Sequence, residues 1–410
     1  MKKILVFMIL VGVGVLSYLY IFKNEDNSIK SDNKMIDLSN MKIDDIKNYS
    51  KDNKLKLEIV YENNVLDKDS FIKQSIEKNK SYKENDKLVI TLSKGIDLDK
   101  LKEDNINELG KVPVMMYHGI SHLLDSDTAY TKGNIDSSGY NRTTESFNRD
   151  LEFYYSEGYE MIRLIDYVNG DINTSYGKSP IVLTFDDGHK NNFNVLGLDE
   201  NGNLEIDPNC AVGILEKFKK KYPDFNVTAT FFLNGGLFGQ KEYNEQILNW
   251  LVDNGYDIGN HTKNHANLKE ISGTKVEEEI GYMYELFDKI IKDKYVNIIA
   301  LPFGNPTNKD HENFKYVLSS KYNGKTYNTL SALRVGWEPN VSPYSKDFDI
   351  NFIKRVRAWD NNGVEFDIEM VFNSLKKTKY ISDGNRDTIV IKKELENKII
   401  ESDKKIIIYE

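Results

Sequence analysis

The order of apolar runs in this 410-residue chain predicts an α/β protein whose large domain is a barrel of parallel strands with helices outside. Two observations carry that expectation. Short apolar runs alternate with longer amphipathic patterns, and six or more such units follow one another, which favours a closed barrel over an open sheet. Strands are expected at Val112 to Tyr117, Glu160 to Leu164, Ile181 to Phe185, Val227 to Leu233, Asp257 to Asn260 and Asn297 to Pro302. Helices are expected at Thr144 to Glu157, Val212 to Lys221, Asn244 to Asn254 and Lys275 to Lys292. In such a barrel the C-terminal ends of the strands form the active face.

Ahead of this domain, Met1-Lys2-Lys3 precedes an uncharged run of 19 residues, Ile4 to Phe22, long enough to cross a bilayer core. No small-x-small cleavage site follows it, and Tyr18 and Tyr20 suit a membrane interface. Residues 1–23 therefore read as an uncleaved signal-anchor that leaves the body of the chain outside the cytoplasm, with a cleaved signal as the alternative. Residues 24–34 read as a polar tether. From 35 to 95, Ile43, Ile46 and Tyr49 stand at helical spacing, Leu55 to Tyr61 alternates with period two, and short strands are expected at Phe71 to Ser75 and Lys87 to Ser93. One helix and three strands in this order, with Asp44-Asp45, LKLEIVYEN, Gln74-Ser75 and Ser93-Lys94-Gly95, resemble a PASTA domain. Ile76 and Asn79 depart from the usual Pro and Gly of that pattern. The resemblance implies either cell-wall recognition or a spacer. Residues 96–110 are charged and read as a linker, and the large domain occupies 111–410.

Composition narrows the function. A net charge of -9 supplies no basic excess for nucleic acid. One cysteine, Cys210, excludes an intramolecular disulfide and a multi-cysteine zinc site, so any metal must be held by His, Asp or Glu. Asp199 to Asn203 has the flavour of a calcium loop but lacks the spacing and the closing Glu, and reads as a surface turn.

The strand Ile181 to Phe185 runs directly into Asp186, Asp187 and Gly188. Two adjacent carboxylates at a strand end can divide labour, one holding a metal and the other handling a proton. His261 and His265 stand four residues apart, a spacing that on a helical turn aims both rings at one ion. With Asp187 they make a His-His-carboxylate set that leaves coordination positions open, as a catalytic site requires. Pro302-Phe303-Gly304 closes another strand and lets the backbone approach a ligand, though the same triplet makes ordinary turns. His118 ends the strand Val112 to Tyr117, where it is either a catalytic group or a simple strand cap. His122, His189 and His311 have no comparable placement and are left as surface or outer residues.

In order, Thr184-Phe185-Asp186-Asp187-Gly188, His261-Thr262-Lys263-Asn264-His265 and Leu301-Pro302-Phe303-Gly304 resemble the first three motifs of the polysaccharide deacetylases, carbohydrate esterase family 4. The match extends over most of residues 111 to 375. Ala300 stands where the third motif usually begins with Arg, and no Leu-x-His motif follows near the C-terminus. Met116-Tyr117-His118 resembles that last motif moved to the front, as in the circularly permuted branch. The resemblance implies a distorted (β/α) barrel of about seven units and metal-dependent hydrolytic N-deacetylation of N-acetylglucosamine.

It further implies a divalent ion on Asp187, His261 and His265, zinc first, with cobalt, nickel or manganese also accepted by these donors. Asp186 becomes the base and His118 the acid. A backbone N–H near Phe303 becomes the oxyanion donor, and substrate contacts fall on Tyr117, Pro302, Phe303, Gly304, Arg334 and Trp337. Arg334 is the candidate replacement for the missing orienting arginine, and Trp337 and Trp359 are the candidate aromatic wall. Peptidoglycan is the first substrate expected, with a secreted poly-N-acetylglucosamine as the alternative. A monomer is expected, bound to the membrane through its N-terminal helix. The competing class is a non-catalytic wall-binding protein on a deacetylase scaffold, and a xylan O-acetyl esterase is a minor variant.

Overall fold

The computed structural model describes residues 33–64, 66–130, 133–336, 338–364 and 366–410. The signal-anchor expected at 1–23 and most of the tether lie outside the described residues. Among the described residues no helix is long and apolar enough to cross a membrane. The chain divides into two compact units, Met1–Asp97 and Leu98–Glu410.

In the first unit, α1 (Ile43–Asp52) packs on a sheet of β1 (Lys56–Glu62), β2 (Phe71–Gln74) and β3 (Lys87–Ser93). β3 lies in the middle, parallel to β1 and antiparallel to β2. The apolar positions that predicted these elements meet in one core of Met35, Leu38, Ile46, Leu55, Tyr82, Leu88, Ile90 and Leu92. Gln74 ties the entering chain to the sheet, accepting from the Leu38 amide and donating to the Ile36 and Ile76 carbonyls. The tether expected to 34 ends earlier than that, because Asn33–Lys34 pairs with Ser81–Tyr82.

The second unit begins before the expected domain start. Residues 96–110, read as a linker, include α2 (Leu98–Glu103) and the buried Leu101, Ile106 and Glu108. Composition misled here because charged side chains cover a segment in which Leu101 and Ile106 alone among the apolar residues are buried. The strands follow as β4 (Val114–Tyr117), β5 (Tyr159–Met161), β6 (Ser179–Phe185), β7 (Thr230–Leu233), β8 (Asp257–Asn260), β9 (Ile298–Ala300), β10 (Ser331–Leu333) and β11 (Val356–Arg357). The helices between them include α3 (Thr144–Ser156), α4 (Leu164–Val168), α5 (Ala211–Lys221), α6 (Asn244–Asp253) and α7 (Gly273–Ile291). After β11 come α8 (Ile368–Leu375), β12 (Thr388–Lys392) and β13 (Lys405–Tyr409). The four long helices start and stop within two residues of the periodic patterns. Thr143, Ser272 and Asp367 cap α3, α7 and α8 by accepting backbone N–H bonds, the role their short oxygen side chains favour.

The parallel sheet runs β10-β9-β8-β7-β6-β4-β11, with β5 beside the start of β6. It is closed by one short segment. Ile353 exchanges backbone bonds with Ala332 and Arg334 beside β10, while Val356 and Arg357 pair with Met115 and Met116 of β4. Successive strand residues point to opposite faces, and the two faces fill two separate cores. Val112, Val114, Val182, Phe232, Ile298, Ala300, Leu333 and Ile353 fill the barrel interior. Met115, Tyr117, Leu183, Phe185, Phe231, Leu233, Ile258 and Ile299 face the helices. Gly259 is required inside, because a Cβ there would come within 2.4 Å of the Phe232 ring.

At the N-terminal end of the strands the interior is plugged by Tyr380, Ile389, Ile391 and Ile399. The parallel β12–β13 pair, absent from the expected elements, anchors this floor. Glu108 is buried there and accepts from Tyr380 Oη and the Val390 amide, each at 2.8 Å. Burial and the nearby Asp383 carboxylate push its carboxyl up to about 8. The native state therefore keeps a proton that the unfolded chain releases near 4.5, so stability is lost as pH rises from there toward about 8. Thermal melts across that window should show a falling Tm, and Glu108→Gln should flatten the slope.

Candidate active site

The inner face of each strand continues past its C-terminal end. Val112, Val114 and Met116 lead to His118, and Val182 and Thr184 lead to Asp186, which places His118 and Asp186 in the barrel mouth. The same parity sends Tyr117 outward. Expected to bind substrate, Tyr117 is fully buried among the helices, with its hydroxyl on Asp150 and Tyr154.

Asp186 is held by a guanidinium, and the guanidinium belongs to Arg355 rather than Arg334. Arg355 Nη1 and Nη2 each donate to one carboxylate oxygen at 2.7 Å, Nη1 also reaches Thr184 Oγ1 at 3.2 Å, and Nε donates to the Arg334 carbonyl at 2.9 Å. Both side chains are nearly inaccessible, at 0% and 1%. Arg334 is one residue past an inward Leu333 and so faces outward, with its guanidinium 4.2 Å from the Phe352 ring centroid. Burial alone would raise the Asp186 carboxyl. The charge and hydrogen bonds of Arg355, with His261 beside it, keep it below the usual carboxylate value, so it is ionised and can accept a proton.

Asp187 reaches the cleft by a different device. Its φ of 73° and that of Gly188, 63°, turn the chain sharply at the end of β6. Its Oδ1 lies 3.2 Å from His261 Nε2 and 3.4 Å from His265 Nε2. The histidines are not on a helical turn as their spacing suggested. They flank an irregular loop after β8 in which Thr262 and His265 have φ of 65° and 53°. Phe303, at φ 58°, packs edge-on against His265 with centroids 4.7 Å apart. Among the described residues other than Gly, Asn and Asp, six have positive φ, and Thr262, His265 and Phe303 are three of them. Unfavourable backbone is thus concentrated where the cleft is built.

The donor set fits a metal ion. One ligand atom each from Asp187, His261 and His265 lies within 4.8 Å of the others. His261 Nδ1 is 2.8 Å from the Ala300 carbonyl, a contact that requires the proton on Nδ1 and, in the neutral ring, leaves the lone pair on Nε2. That buried Nε2 has no hydrogen-bond partner, yet it faces a carboxylate oxygen. Two lone pairs at this separation repel unless a cation lies between them. Burial pushes His261 down, and the carboxylates of Asp186 and Asp187 more than reverse it, so the site draws positive charge. Asp187 is held far below the ordinary carboxylate range against burial, chiefly by His189 and His261.

His118 Nε2 stands 4.0 Å from both Asp186 Oδ2 and Asp187 Oδ2. Burial pushes its imidazole down to about 4 despite the two carboxylates, so it is neutral at pH 7. Its ring packs edge-on against Tyr140. The cleft encloses about 320 Å³ and is lined by these groups with Tyr140, Asn141, His189, Leu301, Phe303 and Val335. Pro302 and Gly304 are buried behind an exposed Phe303. The aromatic wall is Tyr140 and Phe303. Trp359 stands one layer back, because the Arg357 guanidinium lies between its ring and that of Tyr140, at 4.9 and 5.2 Å. Trp337 lies outside the described residues.

Residues 173–317 match the family model described as polysaccharide deacetylase, and residues 33–94 match the PASTA domain. The chain carries a polysaccharide deacetylase domain and a PASTA domain. Over 221 residues it is 22% identical to YxkH of Bacillus subtilis, whose name assigns polysaccharide deacetylase activity provisionally, covering 52% of this chain and 65% of that protein. It is 31% identical over 115 residues to a peptidoglycan-N-acetylglucosamine deacetylase of Bacillus cereus, covering 28% of this chain and 33% of that one. The chain thus spans less than two thirds of either relative. Among solved structures it is similar to the Streptococcus pyogenes deacetylase PplD in complex with acetate, at TM-score 0.44 and 19% identity, over 61% of this chain and 93% of that one.

The deacetylase domain departs from sequence expectation mainly at Arg355, which lies outside the matched segment. The signal was present: Ile353, Arg355 and Arg357 alternate like a strand whose inward positions turn basic at the mouth. Arg355→Met should leave a buried Asp186 uncompensated and cost about 3–5 kcal/mol in urea unfolding. Arg355→Lys should recover only part, since an ammonium cannot make two parallel bonds to one carboxylate.

Proposed function

We propose that this protein is a metal-dependent N-deacetylase acting on N-acetylglucosamine residues of an extracellular glycan, with peptidoglycan the preferred substrate. The observation that carries the reading is the pairing, in one open cleft, of an ionised Asp186 fixed by Arg355 with the converging donors of Asp187, His261 and His265. A divalent ion on those three residues would supply a water of lowered pKa and a positive charge for the acetyl oxygen, and zinc suits two imidazoles and a carboxylate.

The remaining chemistry belongs to the chain. Asp186 takes the proton of the attacking water, and its ionised state makes it competent to do so. An amide nitrogen leaves poorly without a proton, and His118, 4.0 Å from Asp186 Oδ2, is placed to deliver one. Because His118 is neutral at rest, the proton it delivers is the one Asp186 has removed from water. The turn at Phe303 offers a backbone N–H to the oxygen that becomes negative. Tyr140 and Phe303 present ring surface to the sugar.

Peptidoglycan is favoured by the accompanying PASTA domain and by the Bacillus cereus relative named for that substrate. The forward position of Met116-Tyr117-His118 favours the second reading, a poly-N-acetylglucosamine exopolysaccharide. A single-pass anchor at 1–23, a monomeric state and an extracellular catalytic domain complete the proposal.

Acetate release from purified cell wall, compared with release from a β-1,6-linked N-acetylglucosamine polymer, distinguishes the two substrates. Asp186→Asn and His118→Ala should each lower kcat by about 10²- to 10⁴-fold while bound metal is retained. His261→Ala should lose the metal itself. Absence of metal together with absence of acetate release from any N-acetylated glycan would instead favour a wall-binding protein.

A further inference from the structure

Asp187 has a second oxygen that the metal reading leaves unassigned. Oδ1 faces His261 and His265, and Oδ2 faces His189 Nε2 at 3.3 Å. The contact follows from the turn at the end of β6. Positive φ at Asp187 and Gly188 folds the chain back, so the residue two positions on comes round beside the carboxylate. The turn is wedged against the loop after β7, where a Cβ on Gly188 would lie 2.4 Å from the Leu237 carbonyl oxygen. His189 is partly exposed on the rim between the catalytic cleft and a neighbouring cavity of about 400 Å³.

We propose that His189 is a positioning residue for the metal site. Its Nε2–H donates to Asp187 Oδ2 and stops the carboxylate rotating about its last bond, which keeps Oδ1 directed between His261 and His265. His118 Nε2 is 4.0 Å from the same oxygen, beyond hydrogen-bond reach, and His261 and His265 make their close approaches to Oδ1. Partners of this kind on ligating groups are commonly worth about 10- to 100-fold in metal affinity. The inference rests on the metal assignment made above.

The test is Zn²⁺ affinity of the full chain, measured by competition with a chromophoric chelator, for wild type, His189→Ala, His189→Gln and Asp187→Asn. His189→Ala should bind Zn²⁺ about 10- to 100-fold more weakly. His189→Gln, whose amide can still donate, should recover part of the loss. Kinetics give a second reading: excess Zn²⁺ should restore the turnover of His189→Ala. Unchanged Zn²⁺ affinity in His189→Ala, or a raised KM that excess Zn²⁺ does not cure, would overturn the inference and make His189 a substrate contact. If Asp187→Asn also kept wild-type affinity, the metal assignment itself would fall, an outcome distinct from failure at His189 alone.

Discussion

The buried pair between Asp186 and Arg355 is the constraint on which the rest of the catalytic unit depends. A carboxylate with 1% exposure at the centre of a barrel mouth is ionised only if a matching cation is placed within bonding distance. Arg355 meets that need with two parallel bonds, and its further bonds to Thr184 and the Arg334 carbonyl leave little of its donor capacity unused. The segment that carries it is also the segment that joins β10 to β4. Closure of the barrel and neutralisation of Asp186 are therefore one structural event, and neither is complete without the other.

Against that fixed pair, Asp187 occupies a contrasting environment only one residue away. Asp186 is rigid, inward and bonded to a cation. Asp187 sits on a left-handed turn, partly exposed and surrounded by imidazoles at 3.2, 3.3 and 3.4 Å. The same strand end thus presents one carboxylate paired with a guanidinium and one that faces three imidazole nitrogens. That asymmetry separates a proton acceptor from a cation ligand without any difference in residue type.

Much of this was legible from residue order. The PASTA elements, the four long helices and the strands β4, β6, β8 and β9 follow from periodicity, because each has one face that must be buried. The cluster of Asp186, Asp187, His261, His265 and His118 was readable because all five follow apolar strands. What could not be read had physical causes. β11 has only two residues, and its pairing depends on partners some 240 positions away in β4. Arg355 was hidden for the same reason. Arg334 and Tyr117 were misplaced because a residue's face at a strand end depends on parity, which shifts with the first residue that leaves the strand. The His261–His265 spacing suggested a helix, yet left-handed residues at Thr262 and His265 bring the rings together instead.

The division into inner and outer cores has a consequence for how this domain tolerates change over evolutionary time. Inserting or deleting a single residue within β6 would exchange the faces of Phe185 and Asp186, pushing a carboxylate among the helices and an aromatic ring into the mouth. A one-residue slip in the five positions from Ile353 to Arg357 would do the same to Arg355. Hairpins such as Val195–Leu198 with Leu204–Ile206 carry no such parity requirement, and exposed Leu196 and Leu198 mark that one as peripheral to the packed layers. Length variation should therefore accumulate in the hairpins and loops, while strand lengths leading into the mouth stay fixed even where their apolar residues are exchanged.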